Sequence, residues 1–248
     1  MIIIKSENEI ERMRKPNRVV AELLDYIGEL VRPGVTTKEL DVKAEAFIRE
    51  KGGKPAFKGY HGFPATICAS INEVVVHGIP GKRRLKEGDI IGVDLGVVMD
   101  GFYGDAARTF AVGKVDKASL KLMQVTEEAL YKGIKQAVPG NRLYDISHAV
   151  QQHVEDAGFS VVRDFVGHGI GRQLHEDPQV PNYGLPHQGP KLVEGMAIAI
   201  EPMVNEGTWQ VKVLEDGWTV VTADGKRSAH FENTIVITGS GPEILTRL

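Results

Sequence analysis

Apolar side chains recur at a helical period between Ser6 and Val31, at Ile10, Met13, Val20, Leu23, Leu24, Ile27, Leu30 and Val31. Such a stripe predicts an amphipathic helix with one face packed inward. Ser6 and Glu9 are spaced as a capping box that opens it. Pro16 is expected to kink or divide the helix, because an interior proline removes a backbone donor, and Pro33-Gly34 stops it. A second capping pair, Thr36 and Glu39, starts a helix carrying Leu40, Ala44, Phe47 and Ile48, which Gly52-Gly53 ends. The same pattern returns further on. A helix is predicted from about Lys117 to Ala137, Pro139-Gly140 stops it, and another runs from about Tyr144 to near Gly158.

The strands repeat as well. Leu85-Lys86-Glu87-Gly88 before Ile90-Ile91-Gly92-Val93-Asp94 mirrors Leu192-Val193-Glu194-Gly195 before Ala197-Ile198-Ala199-Ile200-Glu201. Asp105 precedes Arg108-Thr109-Phe110 as Glu232 precedes Asn233-Thr234-Ile235. Two copies of a helix-helix-strand-hairpin unit, offset by the 107 residues from Asp94 to Glu201, predict an α+β fold with pseudo-twofold symmetry, antiparallel sheet inside and helices outside. We expect one domain over residues 1–248, its halves being about 1–112 and 113–248, with any site at the join drawing on both.

Composition narrows the function. The 248 residues are 42% hydrophobic and 25% charged, which places the chain among ordinary globular proteins. A net charge of −3 lacks the broad positive field of a DNA or anionic-membrane binder. The single thiol, Cys68, forms no internal disulfide, as a reducing cytoplasm predicts. No apolar run has the length of a signal peptide core or a membrane span. Lys82-Arg83-Arg84 is read as a solvated loop, with ribosomal RNA contact as its alternative.

Asp94 and Glu201 each end a short apolar strand, where an ionised carboxylate costs several kcal/mol unless something positive compensates. Asp100-Gly101 reads as a two-residue hairpin turn. In that register residue 96 faces 105 and 94 faces 107, so Asp94 and Asp105 share a sheet face as diagonal neighbours, within about 8 Å. By the repeat, Asp105 corresponds to Glu232, giving four acids in two equivalent pairs across the join. His168 lies between Gly167 and Gly169, a segment open to close backbone approach. An oxygen-rich site with one imidazole suits Mn, Fe, Co or Zn. Four carboxylates exceed what one ion needs, so two ions about 3.5–4 Å apart fit better.

These residues resemble a known family. Val93-Asp94-Leu95-Gly96, Gly104-Asp105, Gly167-His168-Gly169-Ile170-Gly171, Ile200-Glu201-Pro202-Met203 and His230-Phe231-Glu232-Asn233-Thr234 look like the metal-site motifs of methionine aminopeptidases. The short step from His168 to Glu201, and the lack of a zinc-binding N-terminal extension, resemble the type I, bacterial-style enzymes. The resemblance implies the pita-bread fold, two divalent metal ions, and removal of an initiator methionine from nascent polypeptides when the second residue is small. It further implies that Asp94 chelates one ion, His168 and Glu201 hold the other, and Asp105 and Glu232 bridge them. Glu201 would accept the proton of the attacking water. His175, in Leu174-His175-Glu176, would donate to the oxyanion, and His77, in Val76-His77-Gly78, would contact the substrate's peptide nitrogen.

Tyr60, Phe63, Cys68 and Trp218 match family pocket positions, whereas Leu174 stands where many relatives carry an aromatic residue. Asn72, Val74 and Ser228 resemble an auxiliary monovalent-cation site. His61 is placed beside the pocket, His230 is read as a residue that could orient Glu232, and His148, His153 and His187 receive no role. Two alternatives share this fold. An X-Pro peptidase of the same fold would carry a further N-terminal domain, and a non-catalytic binding protein on this fold would have lost metal ligands. Gly167, Gly169 and Gly171 lack dinucleotide-binding spacing, and no G-x-S-x-G occurs. A monomer is expected.

Overall fold

The computed structural model describes residues 1–248. Four helices lie outside antiparallel sheets: α1 (Glu7–Leu30), α2 (Thr37–Glu50), α3 (Lys117–Gln136) and α4 (Leu143–Asp156). Both expected capping boxes form. The Ser6 hydroxyl accepts from Glu9 N, and the Glu9 carboxylate accepts from Ser6 N at 3.0 Å; Thr36 and Glu39 repeat the exchange. No helix is long and apolar enough to cross a membrane.

Pro16 does not divide α1, which runs unbroken through it. Pro16 and Asn17 are buried against the hairpin beneath, and Gly104 on that hairpin lies directly under the Asn17 backbone. Burial of Met13, Val20, Leu23, Leu24 and Ile27 along one face outweighs a single missing hydrogen bond.

The hairpin pairs Ile90–Met99 with Phe102–Ala111. Its two turn residues, Asp100 (φ 51°) and Gly101 (φ 79°), are both left-handed, as a turn matched to strand twist requires. The register is the expected one: Gly96 faces Asp105 and Asp94 faces Ala107. Ile67–Ile71 flanks the other edge of the first strand and sets Cys68 opposite Asp94. In the second copy, Ala197–Ile200 lies between Asn233–Thr238 and Gly167–Gly169.

Each copy has its own apolar core, one under α1 and α2 and one under α3 and α4. A third cluster, with Phe57, Phe63, Phe102, Ala197 and Val236, spans the join. Hydrogen bonds stitch the copies together there. Glu232 N donates to Ala107 O at 2.9 Å, and the Thr234 hydroxyl donates to Asp105 O at 2.8 Å. The Thr109 hydroxyl donates to His230 O at 2.8 Å and accepts from His230 N at 3.0 Å. The acidic residues of the two copies therefore emerge from a single cross-braced seam.

Candidate metal centre

Five side chains meet at that seam; Asp94 lies in the middle of the ten-residue strand Ile90–Met99 rather than at the end of a short one, because pairing with Phe102–Ala111 carries that strand on to the hairpin turn. Asp94 and Asp105 come from the hairpin, and His168 from Gly167–Gly169. Glu201 follows Ala197–Ile200, and Glu232 precedes Asn233–Thr238. His168 Nε2 stands 3.7 Å from Asp105 Oδ2 and 3.6 Å from Glu201 Oε1. Its other nitrogen, Nδ1, is 2.9 Å from Gly169 O. A carbonyl only accepts, so Nδ1 carries the hydrogen and Nε2 presents its lone pair to the carboxylates.

The strand bearing His168 is held tightly. Pairing with Glu176–Val180 slips between His168 and Gly169, so that His168 faces Gln179 while Gly169 faces Glu176. A β-bulge of this kind re-aims a side chain. A Cβ on Gly169 would overlap the Asp177 carbonyl, which rigid backbone cannot yield. Gly169→Ala is therefore expected to destabilise the protein by roughly 1–3 kcal/mol and to weaken metal uptake. A denaturation midpoint equal to that of the parent would contradict this.

Buried carboxylates here lack neutralising partners. Asp94 Oδ1, Asp105 Oδ1 and Glu232 Oε1 are buried without a hydrogen-bond partner, as is His230 Nε2. Burial pushes Asp94 up to about 7. It holds Asp105 well above the carboxylate range, with Glu232 and Asp94 adding, and Glu232 likewise, with Glu201 and Asp94 adding. Glu201 is raised likewise by burial, with Asp94 and Asp105 adding. Bound cations remove both penalties. Ligand atoms of Asp105, His168 and Glu232 lie within 4.8 Å of one another, and so do those of Glu201, His230 and Glu232. Four carboxylates with the Nε2 lone pair of His168 fit a pair of divalent ions, and His230 Nε2 lies against that donor set, 3.7 Å from Glu201 Oε2.

The centre forms the floor of a cavity of about 230 Å³. Its walls include Tyr60, Phe63, Cys68, Leu174 and Trp218, with His61, His77 and His175 among them. The structure thus brings together every residue expected at the metal and substrate positions. Trp218 meets Phe63 edge-on at 5.1 Å between ring centres, and His77 meets Phe165 edge-on at 5.6 Å. Burial lowers His77 to about 4 and lowers His175, keeping both neutral. Burial raises the Cys68 thiol well above its ordinary value, so it packs as an apolar side chain.

Two contributors escaped the sequence. Phe57 lines the cavity with its ring against Gly96; a glycine inside a strand signals a close approach without naming what approaches. Asn182 donates to Glu201 O at 3.0 Å from a loop that carries no motif. His153 and His187 lie elsewhere, paired with Glu128 and Asp145. Ser228 N donates to Asn72 O at 2.8 Å, so those two positions of the expected cation site adjoin.

Residues 11–239 match metallopeptidase family M24. The chain is 59% identical to a methionine aminopeptidase of Clostridium perfringens, over 99% of each chain. It is 55% identical to methionine aminopeptidase 1 of Bacillus subtilis over the full length of both. Among solved structures, the methionine aminopeptidase from Thermotoga maritima superposes with a TM-score of 0.99 at 52% identity, covering 100% of both chains.

Proposed function

The chain belongs to metallopeptidase family M24, and from that premise we propose that it is a metal-dependent aminopeptidase that removes an N-terminal methionine when the second residue is small. The observation that carries this reading is the seam itself: the carboxylates of Asp94, Asp105, Glu201 and Glu232 and the lone pair of His168 converge on the floor of a cavity of about 230 Å³ walled partly by Phe63, Cys68, Leu174 and Trp218.

Asp94, Asp105, His168, Glu201 and Glu232 would hold two divalent ions drawn from Mn, Co, Fe and Zn. When bound, such ions lower the pKa of a water and polarise a peptide carbonyl, which supplies a nucleophile near neutral pH without an activated Ser or Cys. With the ions held, Glu201 would be the residue that takes up the proton of the attacking water. His175 points into the cavity, with its Nδ1 2.7 Å from the Tyr60 hydroxyl. If the phenol donates there, Nε2–H is left free to donate to the developing oxyanion. His77, kept neutral, contacts the peptide nitrogen. Phe63, Cys68 and Trp218 recognise a thioether by shape and polarizable contact, having no charge to offer it.

Asn72, Val74 and Ser228 are read as an auxiliary monovalent-cation site. Any ion there would share Asn72 O with Ser228 N, and the Ser228 hydroxyl already donates to Val204 O at 3.2 Å. We take residues 1–248 as one catalytic unit, a monomer of the cytoplasm acting on nascent chains. Ribosomal contact through Lys82-Arg83-Arg84 stands as an alternative to a solvated loop, in which Arg84 already donates to Gly34 O at 2.6 Å.

The test compares Met-Ala and Met-Ile peptides with Mn or Co added and with a chelator. Cleavage of Met-Ala should exceed that of Met-Ile by at least about tenfold, the discrimination that a clash worth about 1.4 kcal/mol provides. Chelation should stop both. Chelator-resistant cleavage, or equal rates, would remove the assignment.

A further inference from the structure

Glu201 lies between two imidazoles. Its Oε1 is 3.6 Å from His168 Nε2, and its Oε2 is 3.7 Å from His230 Nε2. The two rings differ in one respect. The Gly169 carbonyl fixes the hydrogen of His168 on Nδ1, leaving Nε2 a lone pair. No hydrogen bond fixes the Nδ1 of His230, and its Nε2 is buried without a partner. The backbone of His230 is clamped in both directions by the Thr109 hydroxyl, and the residue is 3% exposed. A polar atom this deep needs a partner, and Glu201 Oε2 is an acceptor in reach.

We propose that His230 is a positioning residue that carries its hydrogen on Nε2 and donates it to Glu201 Oε2, turning the other carboxylate oxygen toward His168 and the metal centre. The inference rests on the metal reading above. The observed separation exceeds the usual N–H···O length of about 3.0 Å by about 0.7 Å, a gap that a small rotation of the Glu201 carboxylate closes. The two histidines then act oppositely on one side chain, His168 as a ligand nitrogen and His230 as a donor. A ligand carboxylate held by such a donor loses the freedom to swing off its ion, and removal of supports of this kind weakens metal binding roughly 10–100-fold.

The experiment uses the full chain. Metal uptake is followed by calorimetric titration with Co or Mn for the parent, His230→Gln and His230→Leu, alongside kcat and KM on Met-Ala peptide. Gln keeps a side-chain N–H donor and should stay within about threefold of the parent in both readouts. Leu, of similar bulk and without a donor, should lose about tenfold or more in affinity for the weaker ion and in kcat, with KM little changed. The electronic spectrum of the Co-loaded Gln variant should match that of the parent. A changed spectrum with one ion lost would make His230 a ligand instead, and a Leu variant equal to the parent would leave it without a role; either result overturns the proposal.

If Leu fails to fold, histidine nitrogen chemical shifts of the Zn-loaded parent decide the matter. A protonated Nε2 on His230 supports the proposal, and a metal-bound or bare Nε2 refutes it. A parent that takes up no ion would overturn the metal reading itself, whereas a difference between the Gln and Leu variants against a metal-binding parent addresses His230 alone.

Discussion

Glu201→Gln is expected to lower kcat on a Met-Ala peptide by roughly 10²–10⁴-fold, the range associated with loss of a positioned proton acceptor, while the circular dichroism spectrum stays that of the parent. Gln has the same shape, and the Asn182 contact is to the backbone of Glu201, so the local fold is preserved. What disappears is a charge. Burial, Asp94 and Asp105 all disfavour an anion at position 201, so the variant stripped of metal should melt no lower than the stripped parent. Metal-loaded, it should lose the advantage, because a neutral amide is the poorer ligand. A folded Glu201→Gln protein with parental kcat would end the proton-transfer role given to this residue.

The second large effect concerns pH. In protein stripped by a chelator, Asp94 keeps its proton up to about 7, against an ordinary value of 3.8, and Asp105, Glu201 and Glu232 keep theirs well above the usual range. A carboxyl whose folded pKa is raised favours the folded state at low pH, and that contribution is lost as pH rises through the folded pKa. The buried histidines act in the opposite sense. His77 is lowered to about 4, and His168 and His230 to about 3, so their neutral burial is penalised as pH falls below 6.5. The two sets offset one another on the acid side. Above pH 6.5 the imidazoles are neutral in both states and only the carboxyls still titrate.

Stability of the stripped protein should therefore fall between pH 6.5 and 8, by about 1.4 kcal/mol per pH unit for each carboxyl still protonated. Mn at one hundred times its Kd adds about 2.7 kcal/mol, or roughly 5–10 °C in Tm for a chain of this size. Protons compete for the same oxygens, so the Tm increment should be larger at pH 8 than at pH 6.5. Scanning calorimetry at both pH values, with chelator or with Mn, measures all four states. A metal increment independent of pH, or a stripped protein that gains stability toward pH 8, would show that these carboxyls are not the ligands.

Much of the scaffold was legible because it is local. The capping boxes at Ser6 and Thr36 and the Asp100-Gly101 turn depend on residues no more than three apart, and each formed as expected. The turn then fixed the register, which set Asp94 and Asp105 on one face. The division of the helix at Pro16 did not occur, for the converse reason. The proline's cost is local, but the burial that outweighs it comes from a hairpin some eighty residues away along the chain. Phe57 and Asn182 went unseen because a loop residue carries no periodicity, and their partners, Gly96 and Glu201, are remote in sequence.

By itself the sequence determined that a helix-helix-strand-hairpin pattern occurs twice, and which side chains in it have the chemistry for divalent ions. That much follows from side-chain period, caps, turns and donor type, all properties of contiguous residues. Only the tertiary structure decided that Glu232 N meets Ala107 O and Thr109 clamps His230, so that acids from both units share one cavity floor. It alone aimed the lone pair of His168 inward and left His230 facing Glu201. The physical reason is that hydrogen-bond direction and loss of solvent depend on neighbours brought together by folding, and no stretch of chain contains them.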